Sequence, residues 1–387
     1  MKRYTRDALA IGLANRLNSD SLLEDLKNGL FLAGARRTGK SWFLRDDLCP
    51  RLEKKGWLVI YVDLWKDLKT DPAELVAESI REGYAAALGG IRKAVKASGV
   101  DKLGAPGVFT IDLTKIGQPD GVTLADALMG LHTQSKKPIA LIVDEAQHAL
   151  TSDAGEACMF ALKAARDHMN SGVASRLRLI FSGSHQDKLL RLLNTPAAPF
   201  WGSRVELLEK LDSGFVRWYA EELEREDPTL APIDTAALTS AFDLLGNRPQ
   251  DLIVAVQKAN SGLGAAKNRG QQLGHATMAA ARVWQKTEFA RMRDTYRALD
   301  DIERAVLDRL FAKGANFSAY DAGAMAFYAE KIGKKPTTVQ VQRKLEALQK
   351  KDVPLVWKSS RSEYAIYDQS MQDWYVYEVN RGAWPPT

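Results

Sequence analysis

Five short apolar runs punctuate the first half of the chain, at residues 30–33, 58–64 (LVIYVDL), 139–143 (IALIV), 177–181 (LRLIF) and 205–208. Most are continuously apolar rather than alternating, the pattern of strands buried on both faces of a parallel sheet. Between them, apolar positions recur at helical spacing over 72–87, 124–134 and 155–170. Asp71 and Pro72 supply a helix start, the acid as N-cap and the proline at the first helical position. Strand alternating with helix predicts an α/β domain with right-handed crossovers over 1–212. Residues 88–121 are richer in Gly and weakly patterned. They read as an insertion with a helix at 91–97 and an extra strand at 108–113.

Beyond Leu211 the strand pattern stops. Helical spacing over 216–225, 235–245, 249–260 and 270–289 predicts a small helical domain, 213–294. From 295 to 387 the pattern changes again: a helix around Ile302, Ala305, Val306 and Leu310, a second at 322–331, a third at 337–350, then two short strands, 355–357 and 364–367, joined by a polar loop. Three helices followed by a hairpin predict a winged helix-turn-helix.

Composition adds bounds. The 387 residues, 45% hydrophobic and 26% charged, are those of an ordinary globular protein with room for two or three domains. No apolar run reaches the ~18–20 residues of a membrane span. The amphipathic stretch at 8–17 is broken by Asn15 and Arg16, and no small-residue cleavage site follows, so no secretion signal is expected. Cys49 and Cys158 have no metal-ligand spacing and form no disulfide framework, which fits a cytoplasmic setting. The net charge of +6 is mild, so its distribution matters more than its total.

The candidate chemistry begins at Gly34-Ala35-Arg36-Arg37-Thr38-Gly39-Lys40-Ser41, which matches G-x-x-x-x-G-K-[ST] between an apolar run and a helix-like run opening at Trp42. The glycines let the backbone curl so that successive N–H groups face phosphate oxygens. Lys40 is expected at the β/γ phosphates, Ser41 at Mg²⁺. The run 139–143 delivers Asp144 and Glu145 at its end. The first is expected to hold Mg²⁺ and the second to orient or deprotonate the attacking water. Ser182 and Ser184, ending the next run, are placed to touch that water or the γ-phosphate. His148 and His185 read as surface or supporting residues. Arg204, before the fifth run, is expected to reach a neighbouring copy's γ-phosphate; Arg248, with Pro249 opening a helix of the second domain, is expected to approach the nucleotide from that side, and Trp42 from the other.

Together GARRTGKS, LIVDEAQ, FSGSH, the GSR at 202–204 and the GNRP at 246–249 resemble the AAA+ and STAND branch of P-loop ATPases, in particular archaeal-type ATPases and origin-recognition-like proteins. The first two motifs are specific; the others are weak singly. The resemblance covers nearly the whole chain and implies an α/β ATPase domain, a helical lid and a winged helix. By it Lys40 and Ser41 are Walker A residues, Asp144 and Glu145 Walker B, Ser182 or Ser184 sensor 1, Arg204 an arginine finger and Arg248 sensor 2, with ATP as the nucleotide. Two departures stand out: the STAND lid carries Gly-x-Pro where this chain has Gly-x-x-Pro, and there is no room for STAND repeat arrays.

In the third helix of the last domain, Thr337-Thr338-Val339-Gln340 makes a capping box. Val341, Leu345 and Leu348 share a core face, leaving Gln340, Gln342, Arg343, Lys344 and Gln349 on others. Gln and Arg read adenine and guanine edges. Residues 331–361 hold nine Lys/Arg against two acids, a local +7, suited to phosphates. The expectation is a Mg²⁺-dependent ATPase, slow or partner-stimulated, coupling its nucleotide state to duplex DNA. The alternatives are a STAND-like switch gating a protein partner, or a nucleotide-binding scaffold with little turnover. Homo-oligomers through Arg204 are expected, and no membrane partner.

Overall fold

A computed structural model describes residues 3–19, 26–87, 102–103, 111–112, 116, 121–172, 175–264, 267–359 and 363–386. Five strands form one parallel sheet: β1 (Leu30–Ala33), β2 (Leu58–Asp63), β5 (Ile139–Asp144), β6 (Leu177–Gly183) and β7 (Val205–Leu207), in the order β2-β5-β6-β1-β7. All residues of β1, β5 and β6 are buried, whereas edge strand β2 buries only Ile60 and Val62 fully. Their side chains divide by period two. Phe31, Leu141, Val143, Leu179 and Phe181 join the cluster beneath helices Pro72–Ala87, Leu124–Ser135 and Asp153–Met169. Leu30, Leu32, Ala140, Ile142 and Ile180 join the cluster beneath Asp7–Leu17 and the helical stretch from Lys40 to Lys54. That stretch widens into a π segment at Phe43–Leu48. The result is a helix–sheet–helix sandwich, in which each fully buried Leu, Ile or Phe contributes on the order of 1.5–3 kcal/mol.

The Asp71 cap is present, its Oδ1 accepting from the Ala73 N–H at 2.8 Å. Of the insertion, the expected helix at 91–97 lies outside the described residues. So does the expected strand at 108–113 apart from β4 (Ile111–Asp112), which pairs antiparallel with β3 (Lys102–Leu103).

Helices Ser213–Glu226, Thr235–Leu244 and Pro249–Ser261 pack with the first half of a 29-residue helix, Arg269–Arg297. The second half of that helix supplies Met292 and Tyr296 to the C-terminal core, so the division drawn at 294 crosses one continuous helix. The C-terminal core joins helices Asp301–Lys313, Ala322–Ile332 and Thr338–Gln349 to a hairpin of β8 (Val356–Lys358) and β9 (Tyr364–Ile366). A further helix, Gln369–Asn380, which the sequence pattern did not suggest, closes this core with Trp374.

Candidate active site

The loop after β1 sits at the carboxyl end of the sheet, where ligands of open α/β sheets bind. The Gly34 N–H donates to the Gly183 carbonyl at 3.0 Å, fastening the loop to β6. Arg37 (φ +64°) and Gly39 (φ +84°) both turn through the left-handed region before the helix opens at Lys40. At Gly39 any side chain would be strained. The Thr38 hydroxyl donates to the Ala35 carbonyl at 2.6 Å, closing the turn.

Lys40 is 5% exposed and lies at the focus of the strand ends. Its Nζ donates to Asp144 Oδ1, stands 3.0 Å from Glu145 Oε1 and reaches Ser182 Oγ at 3.2 Å. The Ser182 hydroxyl also donates to Asp144 Oδ1, and Tyr61 OH donates to Oδ2 at 2.8 Å. Burial works against charge on all three titrating groups. Mutual attraction wins: Glu145 and Asp144 hold the Lys40 pKa above its ordinary value, and Lys40 holds both carboxyls below theirs. Lys40, Asp144, Glu145 and Ser182, far apart in sequence, therefore meet in one ionised cluster.

Glu145 is held in a left-handed conformation (φ +55°) at the end of β5. Its Oε2 accepts from Gln147 Nε2 at 2.5 Å and from the Ser184 N–H at 3.2 Å. Tyr61 and Gln147 are positioning residues that motif reading missed. Tyr61 arrives only because β2 pairs with β5 in the register that sets it opposite Ile142. His185 is buried, not a surface residue, and half-buried His148 packs its ring 4.6 Å from that of Trp65. Burial lowers their pKa values to about 3 and about 4, so both are neutral at pH 7.

The donor set suits a magnesium ion that arrives with a nucleotide. Ser41 lies close enough to Asp144 to help hold its carboxyl low, placing two hard oxygen donors near each other. Among the described residues no cluster of three or more His, Cys, Asp or Glu forms a metal cage. Mg²⁺ characteristically takes one or two protein oxygens and completes its shell with water and phosphate.

Two cavities open beside the loop. One, of about 350 Å³, is lined by Arg36, Lys40, Ser41, Trp65 and Glu145. The other, of about 510 Å³, is largely apolar and lies between the N-terminal segment, the loop and the helical domain, with Tyr4, Trp42, Phe215, Trp218, Pro249 and Ile253 on its walls. The two share Arg37, Gly39 and Trp42. A flat aromatic base in the second would leave its phosphates at the first. Trp42 and Pro249 thus line this space.

The remaining expected residues differ in placement. Arg37 points outward, 3.9 Å from Asp251. Arg36 turns toward Trp65, its guanidinium 4.2 Å from the ring centroid, and donates to Ser184 Oγ at 3.4 Å. Arg248 lines neither cavity. Its Nη2 donates to Ser370 Oγ at 2.7 Å and its Nη1 stands 3.9 Å from Asp251, so it bridges the helical domain to the C-terminal helix. Arg204 is exposed, away from the Lys40 cluster, with no ion pair among the described residues.

The basic C-terminal surface is partly spent within the chain. Lys344 pairs with Asp300, and Lys351 lies 3.8 Å from Glu303. Gln340 closes its capping box and Gln342 donates to Glu346 at 3.1 Å. Lys331, Lys334, Lys335, Arg343 and Lys350 remain exposed, with Val339 at the exposed start of the helix.

No family model and no curated protein matches the sequence. Among solved structures, the Walker-type ATPase PABY2304 of Pyrococcus abyssi is 18% identical, with 96% of this chain and 95% of that one covered and a TM-score of 0.50. The Aeropyrum pernix ORC2 protein in its ADP form is 16% identical, with 99% and 96% covered, also at 0.50. The chain therefore shares the fold of these two proteins.

Proposed function

We propose that this chain is a magnesium-dependent ATPase whose nucleotide state governs the engagement of duplex DNA by its C-terminal unit. The observation that carries the reading is the convergence of Lys40, Asp144, Glu145 and Ser182 on one buried point beside a curled, glycine-bearing loop. Lys40 exchanges its carboxylate partners for the β/γ phosphates. Ser41 and Asp144 would hold Mg²⁺, which supplies charge neutralisation at the phosphates. Glu145, fixed by Gln147 and the Ser184 N–H, orients a water and takes its proton. Ser182 fixes Asp144. The two neighbours, a Walker-type ATPase and a protein in its ADP form, support nucleotide binding.

Duplex binding falls to the exposed cations around helix Thr338–Gln349. Arg343 is the side chain left to read a base, and Lys331, Lys334, Lys335 and Lys350 meet phosphates. A second reading, a regulatory switch acting on a protein partner, is favoured by one observation: both faces of the β8–β9 hairpin are covered. Exchanging Lys335 and Arg343 for Glu separates the two. The DNA reading expects salt-sensitive duplex retention to fall at least about tenfold while ATP turnover persists. Unchanged retention, or none by the native protein, would sink it. Glu145→Gln tests the first half: ATP should stay bound and turnover should fall by about two orders of magnitude or more.

A further inference from the structure

The C-terminal hairpin is sandwiched. Val356, Tyr364 and Ile366 face their own domain's core, while Trp357 and Ala365 belong to the core of the ATPase domain. Its fastening is polar and directional. The Tyr367 carbonyl accepts from Lys188 Nζ at 2.7 Å, and the Tyr364 carbonyl from Arg191 at 2.8 Å. The Tyr367 ring lies 4.6 Å from Lys188 Nζ and 5.4 Å from the Arg36 guanidinium.

Those two cations follow the adjacent strands β1 and β6. Arg36 belongs to the loop itself and lines the same cavity as Lys40 and Glu145. Lys188 lies on helix Gln186–Leu190, just beyond β6, whose Ser182 touches Lys40 and whose following residue, Ser184, donates to Glu145. Among the described residues neither cation has a carboxylate within ion-pairing distance. Burial and the neighbouring Arg36 lower the Lys188 pKa to about 7, against the opposing pull of Glu145 and Asp368.

We propose that Tyr367 is the point at which the hairpin senses the phosphate site, and that a triphosphate in the cradle draws Arg36 away from it and loosens the hairpin from the ATPase domain. The proposal rests on the reading of the loop as a nucleotide cradle. A guanidinium over aromatic rings has a weaker partner than a phosphate, which it can hold by paired charge-assisted hydrogen bonds. The arriving nucleotide thus binds one arrangement of Arg36 better than the other, which is what a population shift requires. Losing one ring–cation contact moves the docked-to-free ratio by roughly 3- to 30-fold.

The test is amide hydrogen exchange of β8 and β9 in the full chain without nucleotide, with ADP, and with a non-hydrolysable ATP analogue plus Mg²⁺. Exchange of these amides should be about tenfold faster with the analogue than without nucleotide, and ADP should change it little. Tyr367→Leu should exchange fast in all three states while binding the analogue normally by calorimetry. Slower or unchanged β8–β9 exchange in native protein that calorimetry shows to be saturated with analogue overturns the sensing proposal alone. Calorimetry that detects no analogue binding overturns the cradle reading, and this proposal with it.

Discussion

At Lys40 a single ammonium satisfies two carboxylates where water scarcely reaches. Such a cluster is costly to break, because removing one partner leaves uncompensated buried charge. Lys40→Met should therefore lose about 3–5 kcal/mol of unfolding free energy even without nucleotide. Adding Asp144→Asn should recover part of that loss. Urea denaturation measures both, and a single variant as stable as the native chain refutes the account. His185 supports a prediction of different origin. Its pKa lies near 3 in the folded chain against an ordinary 6.5. Between those values the unfolded chain holds a proton that the folded one lacks, so stability falls as pH drops through this window. Relative to His185→Leu, the native chain should lose up to about 1.4 kcal/mol per pH unit between pH 6 and 4. Urea midpoints that run parallel for the two chains over that range exclude it. The loop glycines, Lys40 and the Asp144–Glu145 pair were legible in the sequence because their chemistry demands a local backbone pattern. Tyr61, Gln147 and the aim of Arg36 were not. Tyr61 reaches Asp144 only through the pairing of two strands about eighty residues apart, and Arg36 is turned by rings from remote segments.

The elements most easily read were those buried on both sides. β5, fully buried from Ile139 to Asp144, announces itself by an unbroken apolar run. Helix Arg269–Arg297 is the opposite case. Its apolar positions serve two different cores, Leu273 and Ala281 one and Met292 and Tyr296 the other, so no single stripe runs its length and periodicity places its end too early. Its start is set by contact. A Cβ on Gly270 would stand 1.9 Å from the Leu230 carbonyl oxygen and 2.4 Å from that of Pro232, both rigid backbone atoms. Gly270→Ala should accordingly destabilise the helical domain by about 1–3 kcal/mol through overpacking. That gain of a methyl is ordinarily favourable within a helix, so a neutral or stabilising result in thermal melts is the outcome that rejects this packing. The helix Thr338–Gln349 shows how an element can be read correctly while its surface is misjudged. Its capping box and its buried Val341, Leu345 and Leu348 are where the pattern set them. Yet Lys344 and Lys351 face acids on helix Asp301–Lys313 and its cap, which one-dimensional charge counting cannot see.

Over the whole molecule, the three successive stretches of pattern do not correspond to three separate cores. Trp357 and Ala365 are deep in the cluster that contains β1, β5 and β6, although they arrive from the far end of the chain. Arg248 ties the helical domain to Ser370, and Arg191 ties β6's following helix to the hairpin. The α/β domain and the C-terminal unit should therefore unfold together, since neither keeps its apolar surface covered alone. Trp357 is the largest side chain crossing this seam from the hairpin. Trp357→Ala removes its burial and leaves a cavity, at a cost of about 3–5 kcal/mol. Because the lost contacts lie at the seam, the effect should be uncoupling rather than uniform weakening: a single calorimetric transition in the native chain should split into two in the variant, the C-terminal unit melting first. A native chain that already melts in two well-separated steps, or a variant whose single transition merely shifts downward, contradicts the shared core. The same seam runs from Tyr367 to the loop that bears Arg36, so whatever loosens it should change the loop cavity and the C-terminal surface together.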